Sequence, residues 1–216
     1  MSDSIRPPAR QRRKEARPQE LTAAALSLFV EKGFAATRLD DIAERAGVSK
    51  GTLYLYFESK DALFKAVIQE GIVSALHAGE ALFDEYDDPL DLLRTILQGW
   101  WDRIGNTELG GIPKLMMSEA RNFPDVAAYY QQEVLQRGTA LLRKAVMRGI
   151  ERGVFRQVDA DAICSVLIAP LVYRAMWRQS FGPACGQETD TAQYLRTYFD
   201  LILNGLLTGV SGGAAR

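Results

Sequence analysis

The stretch that decides the fold is TRLDDIAERAGVSKGTLYLYFESK, which runs from residue 37 to residue 60. Thr37 followed by Asp40 forms a capping-box-like start for one helix. Gly47 then tolerates the left-handed backbone that a sharp turn between helices often needs, and Ser49 is an N-cap for a second, short helix. Because that short helix is small and polar on one side, the pattern predicts a helix-turn-helix that enters a DNA major groove.

Ordered matches to a known pattern extend from residue 33 to residue 60. They are Gly33, Phe34, Thr37, Asp41, Ile42, Ala43, Ala46, Gly47, Val48, Ser49, Gly51, Thr52, Leu53, Tyr54, Tyr56, Phe57 and Lys60. In these residues the chain resembles the DNA-binding domain of TetR-type bacterial transcriptional regulators. The resemblance implies an all-α fold, in which an N-terminal three-helix helix-turn-helix DNA-binding domain is continuous with a C-terminal helical domain for ligand binding and dimerisation.

The resemblance also implies which residues contact DNA. At the start of the recognition helix, Lys50 and Thr52 would touch base edges, and Gly51 would permit close approach of the backbone. Lys60, in the first turn of the next helix, would bind a phosphate. The full predicted DNA-binding set is Thr37, Arg38, Ser49, Lys50, Gly51, Thr52, Tyr54, Tyr56 and Lys60.

Several of these residues have structural alternatives. Tyr54 could mainly pack inside the small domain, and Lys50 could be an ordinary solvated cation. Thr37 is expected to cap a helix whatever else it does. The neighbouring residues Leu55 and Phe57 are predicted to be core.

Charge is unevenly distributed along the chain. The net charge is −1, but residues 1–60 carry 11 basic and 8 acidic side chains, and residues 61–216 carry 15 and 19. The basic end starts with residues 1–17, which we predict to be a disordered arm that neutralises phosphates or reaches a minor groove. The alternative is a solvated tail with no role in DNA binding. The other predicted segments are a helix-turn-helix DNA-binding domain at 18–58, a helical effector-binding and dimerisation domain at 59–210, and a disordered tail at 211–216.

Apolar residues at three- and four-residue spacing predict helices along the whole chain. The first helix ends at Lys32, and a helix that begins at Ser59 continues into the second domain without a flexible linker. No alternating strand pattern is present in the sequence. The later predicted helices cover residues 89–104, 113–122, 124–152, 160–181 and 191–207.

Composition indicates a soluble protein of a reducing compartment. With 47% hydrophobic residues, the 216-residue chain can build a packed core. The longest nearly apolar run, residues 162–173, is too short to cross a bilayer, and no hydrophobic targeting segment stands at the N-terminus. Cys164 and Cys185 are too few for a disulfide framework or a four-ligand zinc site. We expect a cytoplasmic protein with no membrane partner, no metal and no cofactor.

After residue 59, the chain contains more apolar surface than a spacer would need. The resemblance implies a pocket for a small effector, whose different affinities for two conformations would control DNA binding. Any of the aromatic side chains could instead belong to the core. The candidate pocket residues are Trp100, Met116, Met117, Glu119, Arg121, Tyr130, Tyr173 and Trp177, with Glu119 and Arg121 as polar anchors.

Residues 160–181 and 191–207 are predicted to form a homodimer interface, because the first segment is apolar on nearly every face and must be covered. Intramolecular core is the alternative. We therefore predict a sequence-specific dimeric repressor that a small, largely apolar effector releases from a palindromic operator. The alternative is a DNA-bound protein that recruits a protein partner without a small-molecule effector. An enzyme is not expected, since the sequence lacks a nucleophile with a base, a metal-ligand cluster and a phosphate loop.

Overall fold

The computed structural model describes residues 9–182 and 190–209, and side chains from residue 18 onward. The chain divides into two compact units, residues 1–68 and 69–216. The predicted all-α fold is confirmed, since the described residues form helices and one isolated bridge between Phe155 and Leu207. Cys185, residues 1–8 and the predicted tail at 211–216 lie outside the described residues.

The first unit is built around a helix-turn-helix. Its described helices are α1 (Ala9–Lys32), α2 (Leu39–Arg45), α3 (Lys50–Tyr54) and α4 (Lys60–Ile68). Gly33 ends α1 with a φ of 87°, and Gly47 turns the chain between α2 and α3 with a φ of 65°. Both values lie in the left-handed region that glycine adopts without a steric penalty.

Helix α1 begins at Ala9, inside the segment 1–17 that was expected to be a disordered arm. The residues from Ala9 to Arg17 are alanine, arginine, glutamine, lysine and glutamate, all of which have high helix propensity. Their helical propensity explains why the basic segment extends α1.

Three phenylalanines form the centre of the first unit. The ring centroids of Phe29 and Phe34 are 5.2 Å apart, and Phe64 packs 5.7 Å and 5.4 Å from them. Leu63 and Val67 of α4 are also buried. Because α4 supplies so much of this core, the compact unit extends to residue 68 rather than ending near residue 58.

The second unit is a bundle of longer helices. Its described α-helices are α5 (Ser74–Glu85), α6 (Pro89–Trp100), α7 (Ile112–Glu119), α8 (Pro124–Tyr130), α9 (Arg137–Glu151), α10 (Ala160–Ser180) and α11 (Thr191–Leu206). Shorter elements connect some of them. These are a 3₁₀ turn at Glu108–Gly111 and π-helical turns at Gln69–Val73, Trp101–Gly105 and Gln131–Gln136.

Aspartates cap the starts of three of these helices. Asp88 accepts hydrogen bonds from the amides of Leu90 and Asp91, and Asp159 and Asp190 cap α10 and α11 in the same way. These N-caps fix the helix starts locally. The core between the helices is contributed by α6, α9, α10 and α11, with fully buried Leu92, Leu93, Ala145, Val146, Leu167 and Leu171 among its members.

Helix α11 is tied to α10 by tyrosine hydroxyls. Tyr194 donates a hydrogen bond to the Pro170 carbonyl at 2.8 Å, and Tyr198 donates one to the Leu167 carbonyl at 2.6 Å. Pro170 has no N–H to donate to the preceding turn of α10, so the backbone hydrogen-bond ladder is interrupted there. The tyrosines therefore hold the two helices together at the position where α10 is weakest.

Helix α10 is longer than the apolar run at residues 162–173. It is the one helix within residues 9–182 and 190–209 that has the length and composition of a membrane span, over 21 residues, and 28% of its most apolar window is buried. The apolar run itself ends at Tyr173, and the helix continues through Arg174 and Arg178 to Ser180. Much of this helix surface is left uncovered within a single chain.

Candidate nucleic-acid interface and ligand cavity

Local hydrogen bonds set the position of α3. Ser49 is its N-cap, and the Ser49 Oγ accepts a hydrogen bond from the Thr52 amide at 3.1 Å. The same Oγ is 2.9 Å from the Thr52 hydroxyl oxygen. Leu53 is fully buried and anchors the inner side of the helix. The predicted cap is confirmed, and the opposite side of α3 is turned outward.

The outward side of α3 and its flanks carries both polar and apolar groups. Arg38, Lys50 and Gly51 are exposed, and Tyr54 is 47% exposed. Thr52 and Tyr56 are half-buried. Leu55 is 82% exposed, so its assignment to the core is wrong, while Phe57 is half-buried. Leu55 follows the last turn of α3 and is its C-cap, two residues after the buried Leu53, which places it on the other side.

Lys50 is held in an ion pair with α2. Its Nζ lies 2.8 Å from Asp40 Oδ1, and both side chains are largely exposed. The hydrogen bond to Asp40 raises the Lys50 pKa, with a further contribution from the charge of Asp40. A raised lysine pKa keeps the ammonium charged throughout the physiological pH range. Because exposed ion pairs contribute little net stability, the ammonium can exchange Asp40 for a phosphate or a base edge.

Thr37 has a different role from the one that the sequence indicated. Its hydroxyl donates hydrogen bonds to the carbonyls of Gly33 at 2.7 Å and Leu28 at 3.2 Å, and the residue is 1% exposed. The N-cap of α2 is Arg38, which makes no side-chain cap. The prediction that Thr37 caps a helix is wrong. The turn at Gly33 places the Leu28 and Gly33 carbonyls next to the Thr37 hydroxyl, which donates to them. Thr37 fastens α1 to the start of α2.

Lys60 also has a structural role. Its ammonium donates to the carbonyls of Phe34 at 2.6 Å, Thr37 at 3.0 Å and Ala35 at 3.2 Å. It also lies 4.6 Å from the centroid of the Phe34 ring. An ammonium has three N–H donors, and three carbonyls already receive them. The Lys60 ammonium therefore clamps the loop between α1 and α2, in place of the phosphate contact that the sequence indicated.

Replacing Lys60 with methionine is expected to destabilise the first unit by about 1 to 3 kcal/mol, because three carbonyls lose their charged donor. Denaturant unfolding followed by circular dichroism measures the change. Lys32→Met is the matched control. Among the side chains that the structure describes, Lys32 pairs only with Asp41, at 3.4 Å and in an exposed position, so this change should cost well under 1 kcal/mol. Equal stability of the two variants would contradict the clamp.

The second unit encloses a cavity of about 470 Å³. This volume lies within the range of about 300 to 1,000 Å³ typical of ligand pockets. Each of the three described π-helical turns contributes to its wall, and π-helical turns often occur at functional sites. Their wall residues are Ile72, Arg103, Ile104, Gln131, Val134 and Leu135.

Half of the predicted pocket residues line this cavity. They are Trp100, Met116, Met117 and Tyr130. Glu119, Arg121, Tyr173 and Trp177 lie outside the wall, so their assignment is wrong. Tyr173 and Trp177 are 60% and 37% exposed on α10. One helix presents several faces, and the sequence alone did not show which face of α10 was turned toward the bundle.

Arg103 is a wall residue that the sequence reasoning missed. The signal that could have revealed it is its helical spacing, because Ile96, Gly99, Trp100 and Arg103 recur along one face of the helical segment from α6 into the following π-helical turn. A charged residue in that apolar stripe indicates that this part of the helix face lies next to solvent or a polar group.

Two other reactive side chains have no site around them. Cys164 is 2% exposed, and burial raises the pKa of its thiol, so it behaves as a small apolar residue. His77 is exposed on α5. Within residues 9–182 and 190–209, no cluster of three or more potential metal ligands occurs.

Comparisons with known proteins match both units. The N-terminal domain of the bacterial regulatory proteins of the tetR family matches residues 21–67, and the tetracyclin repressor-like C-terminal domain matches residues 87–198. The HTH-type transcriptional repressor KstR2 of Mycolicibacterium smegmatis is 21% identical over 88% of this chain and 90% of its own length. The HTH-type transcriptional activator FasR of the same organism is 33% identical, over 45% of this chain and 44% of FasR.

A solved structure with the same fold is the transcriptional regulator FadR of Bacillus subtilis in complex with stearoyl-CoA. It has a TM-score of 0.71 and 17% sequence identity, and the match covers 87% of this chain and 98% of that one.

Proposed function

This chain belongs to the TetR family of bacterial regulatory proteins, and we propose that it is a dimeric repressor released from a palindromic operator by a small, largely apolar effector. As a member of a family of DNA-binding transcriptional regulators, it is not an enzyme. We propose that it acts in the cytoplasm, where bacterial DNA is located.

The observation that carries the DNA-binding proposal is the outward side of α3. A capped helix holds a charged lysine, a glycine and a half-exposed tyrosine on one side, with Leu53 anchoring the other. Lysine and threonine can reach base edges, and tyrosine can reach phosphates and sugars. The proposed DNA contacts are Arg38, Lys50, Gly51, Thr52, Tyr54 and Tyr56, with Ser49 positioning the helix. The Thr37 and Lys60 side chains support the fold instead.

The uncovered face of α10 and α11 supports dimerisation. Five large apolar side chains on or directly after these helices are between 37% and 67% exposed. A single chain would leave them in water, whereas a twofold-symmetric dimer buries the same patch from both copies. Such a dimer also presents two α3 helices to the two half-sites of a palindrome. The residues are Val166, Tyr173, Trp177, Phe181 and Leu201.

The cavity supports a small-molecule effector over recruitment of a protein partner. Its wall is mostly apolar, with Ile, Leu, Met and Trp side chains, and a packed bundle without a ligand would be expected to fill such a space. The effector would change DNA affinity only if it bound the two conformations unequally. The coupling would amount to about 1 to 3 kcal/mol and would be reciprocal.

Lys50→Ala tests the proposed interface. If Lys50 neutralises one phosphate, the variant should bind the operator about tenfold more weakly, and its log–log salt slope should fall by about one. If Lys50 reads a base edge, base preference at one position should relax instead. Fluorescence anisotropy across a salt series on operators mapped genome-wide gives both quantities. Lys32→Ala removes an exposed lysine at the end of α1, outside α3, and should change little. Unchanged affinity and selectivity in Lys50→Ala would reject the assignment.

A further inference from the structure

Arg103 is the one charged residue among the residues that line the cavity in the described part of the second unit. It is exposed, which places it at the mouth. Its guanidinium folds over Gly99, where a Cβ would stand 2.8 Å from the Arg103 Nη1. Within residues 9–182 and 190–209, this guanidinium makes no hydrogen bond or ion pair. The cavity therefore has a cation without a counter-charge at its rim.

No carboxylate of the cavity wall neutralises Arg103. The adjacent Asp102 lies outside the lining residues, and its Oδ1 accepts a hydrogen bond from Gln98 at 2.8 Å. Glu133 pairs with Arg137 at 3.3 Å and is also outside the wall. The other polar wall residues are neutral, and they are Thr95, Tyr130, Gln131 and Thr139.

Tyr130 adds a hydrogen-bonding group to the cavity wall. The residue is 8% exposed, lines the cavity, and its hydroxyl has no hydrogen-bond partner among the described residues. The hydroxyl oxygen keeps some accessible surface, since it is not among the fully enclosed side-chain atoms without a partner, and a ligand oxygen can reach it. Burial raises the pKa of Tyr130 to about 12, so the phenol stays protonated at physiological pH. It is a hydrogen-bond donor for an acceptor atom that enters the cavity.

We propose that the cavity takes an anionic amphiphile, whose apolar body lies inside and whose carboxylate or phosphate head pairs with Arg103 at the mouth. This inference rests on the proposed effector-responsive function and names the chemical class of the effector. A guanidinium suits both heads, because its planar fork forms two parallel hydrogen bonds with carboxylate or phosphate oxygens. A neutral ligand of the same apolar body would leave that cation unpaired.

The test is isothermal titration calorimetry of the full-length protein with three probes that share a twelve-carbon chain. Dodecanoate and dodecyl phosphate carry the two anionic heads, and 1-dodecanol carries a neutral one. We expect at least one anion to bind about tenfold more tightly than dodecanol, and the tighter anion identifies the head group. Arg103→Met should abolish that preference and leave dodecanol affinity within about twofold. Arg121→Met removes an exposed arginine outside the wall and should preserve the preference.

Equal binding of dodecanol and both anions by the wild-type protein would overturn the proposal without any variant. So would an anion preference that survives in Arg103→Met or that is lost in Arg121→Met. In these cases the cavity still binds an apolar chain, and the proposed small-molecule response stands. If none of the three probes binds, the anionic-amphiphile proposal fails, whereas operator binding, measured separately on DNA, decides the regulatory function.

Discussion

Trp177→Glu is expected to convert the proposed dimer into monomers and to weaken operator binding by at least about a hundredfold. Trp177 is in the middle of an exposed aromatic row on α10, 6.1 Å from the Tyr173 ring and 4.7 Å from the Phe181 ring. A carboxylate at this position would be desolvated without a partner in the dimer, which is strongly unfavourable. The monomer would hold a single half-site and would lose the gain of about 10² to 10⁴ from linked binding.

Sedimentation velocity gives the oligomeric state of Trp177→Glu, and fluorescence anisotropy gives its affinity for the operator. Ala140→Glu adds the same charge to an exposed position of α9 and should remain a dimer with wild-type affinity. Far-UV circular dichroism checks that both variants remain helical. A Trp177→Glu protein that is still dimeric at micromolar concentration would show that this face of α10 is not the dimer interface.

Gly51→Met is expected to weaken operator binding about a hundredfold without lowering the stability of the protein. The fold does not require glycine at this position, since its φ is negative and the nearest atom to an added Cβ would be Ser49 Oγ at 3.8 Å. Glycine in a helix is unfavourable by roughly 0.5 to 1 kcal/mol relative to alanine. Its presence on the outward side of α3 is explained if the backbone must approach DNA closely.

A size series at Gly51 separates this steric effect from a loss of folding. Alanine and methionine are both good helix formers, so Gly51→Ala and Gly51→Met should unfold at the wild-type temperature or slightly above it. Operator affinity should fall in the order glycine, alanine, methionine. Thermal unfolding and anisotropy on the same samples test both statements. Affinity that is independent of side-chain size would mean that Gly51 does not face the DNA.

The features that were predictable from the sequence are those that neighbouring residues determine. Ser49 caps α3 through an amide three residues away, and Gly33 and Gly47 make turns that only nearby backbone geometry requires. The starts of α10 and α11 are local in the same sense, because Asp159 and Asp190 cap them through amides two or three residues away. A one-dimensional pattern contains this information.

The misassigned residues depend on contacts between distant parts of the chain. Lys60 is 26 residues from Phe34, whose carbonyl it binds, and Thr37 binds the carbonyl of Leu28 nine residues earlier. A lysine near a helix start therefore looked like a phosphate ligand, although folding brings carbonyls to it. Leu55 shows the opposite error, since an apolar residue in a motif was assumed to be buried.

The cavity was only partly predictable. Met116 and Tyr130 could be nominated as large side chains of the second unit, but Trp177 was equally plausible and faces outward. Which face of a helix is turned inward depends on how the whole bundle packs. Arg103 was overlooked because an arginine in a helical segment usually indicates solvent, and its lack of a partner is visible only in three dimensions.

The most direct test of the central claim is the affinity of the purified protein for its mapped inverted repeat, compared with a scrambled duplex of equal length at about 0.15 M salt. A dimer that reads two half-sites through α3 should bind the repeat at least about a thousandfold more tightly than the scrambled duplex. Equal affinity for the two duplexes would contradict the assignment of α3 as a recognition helix.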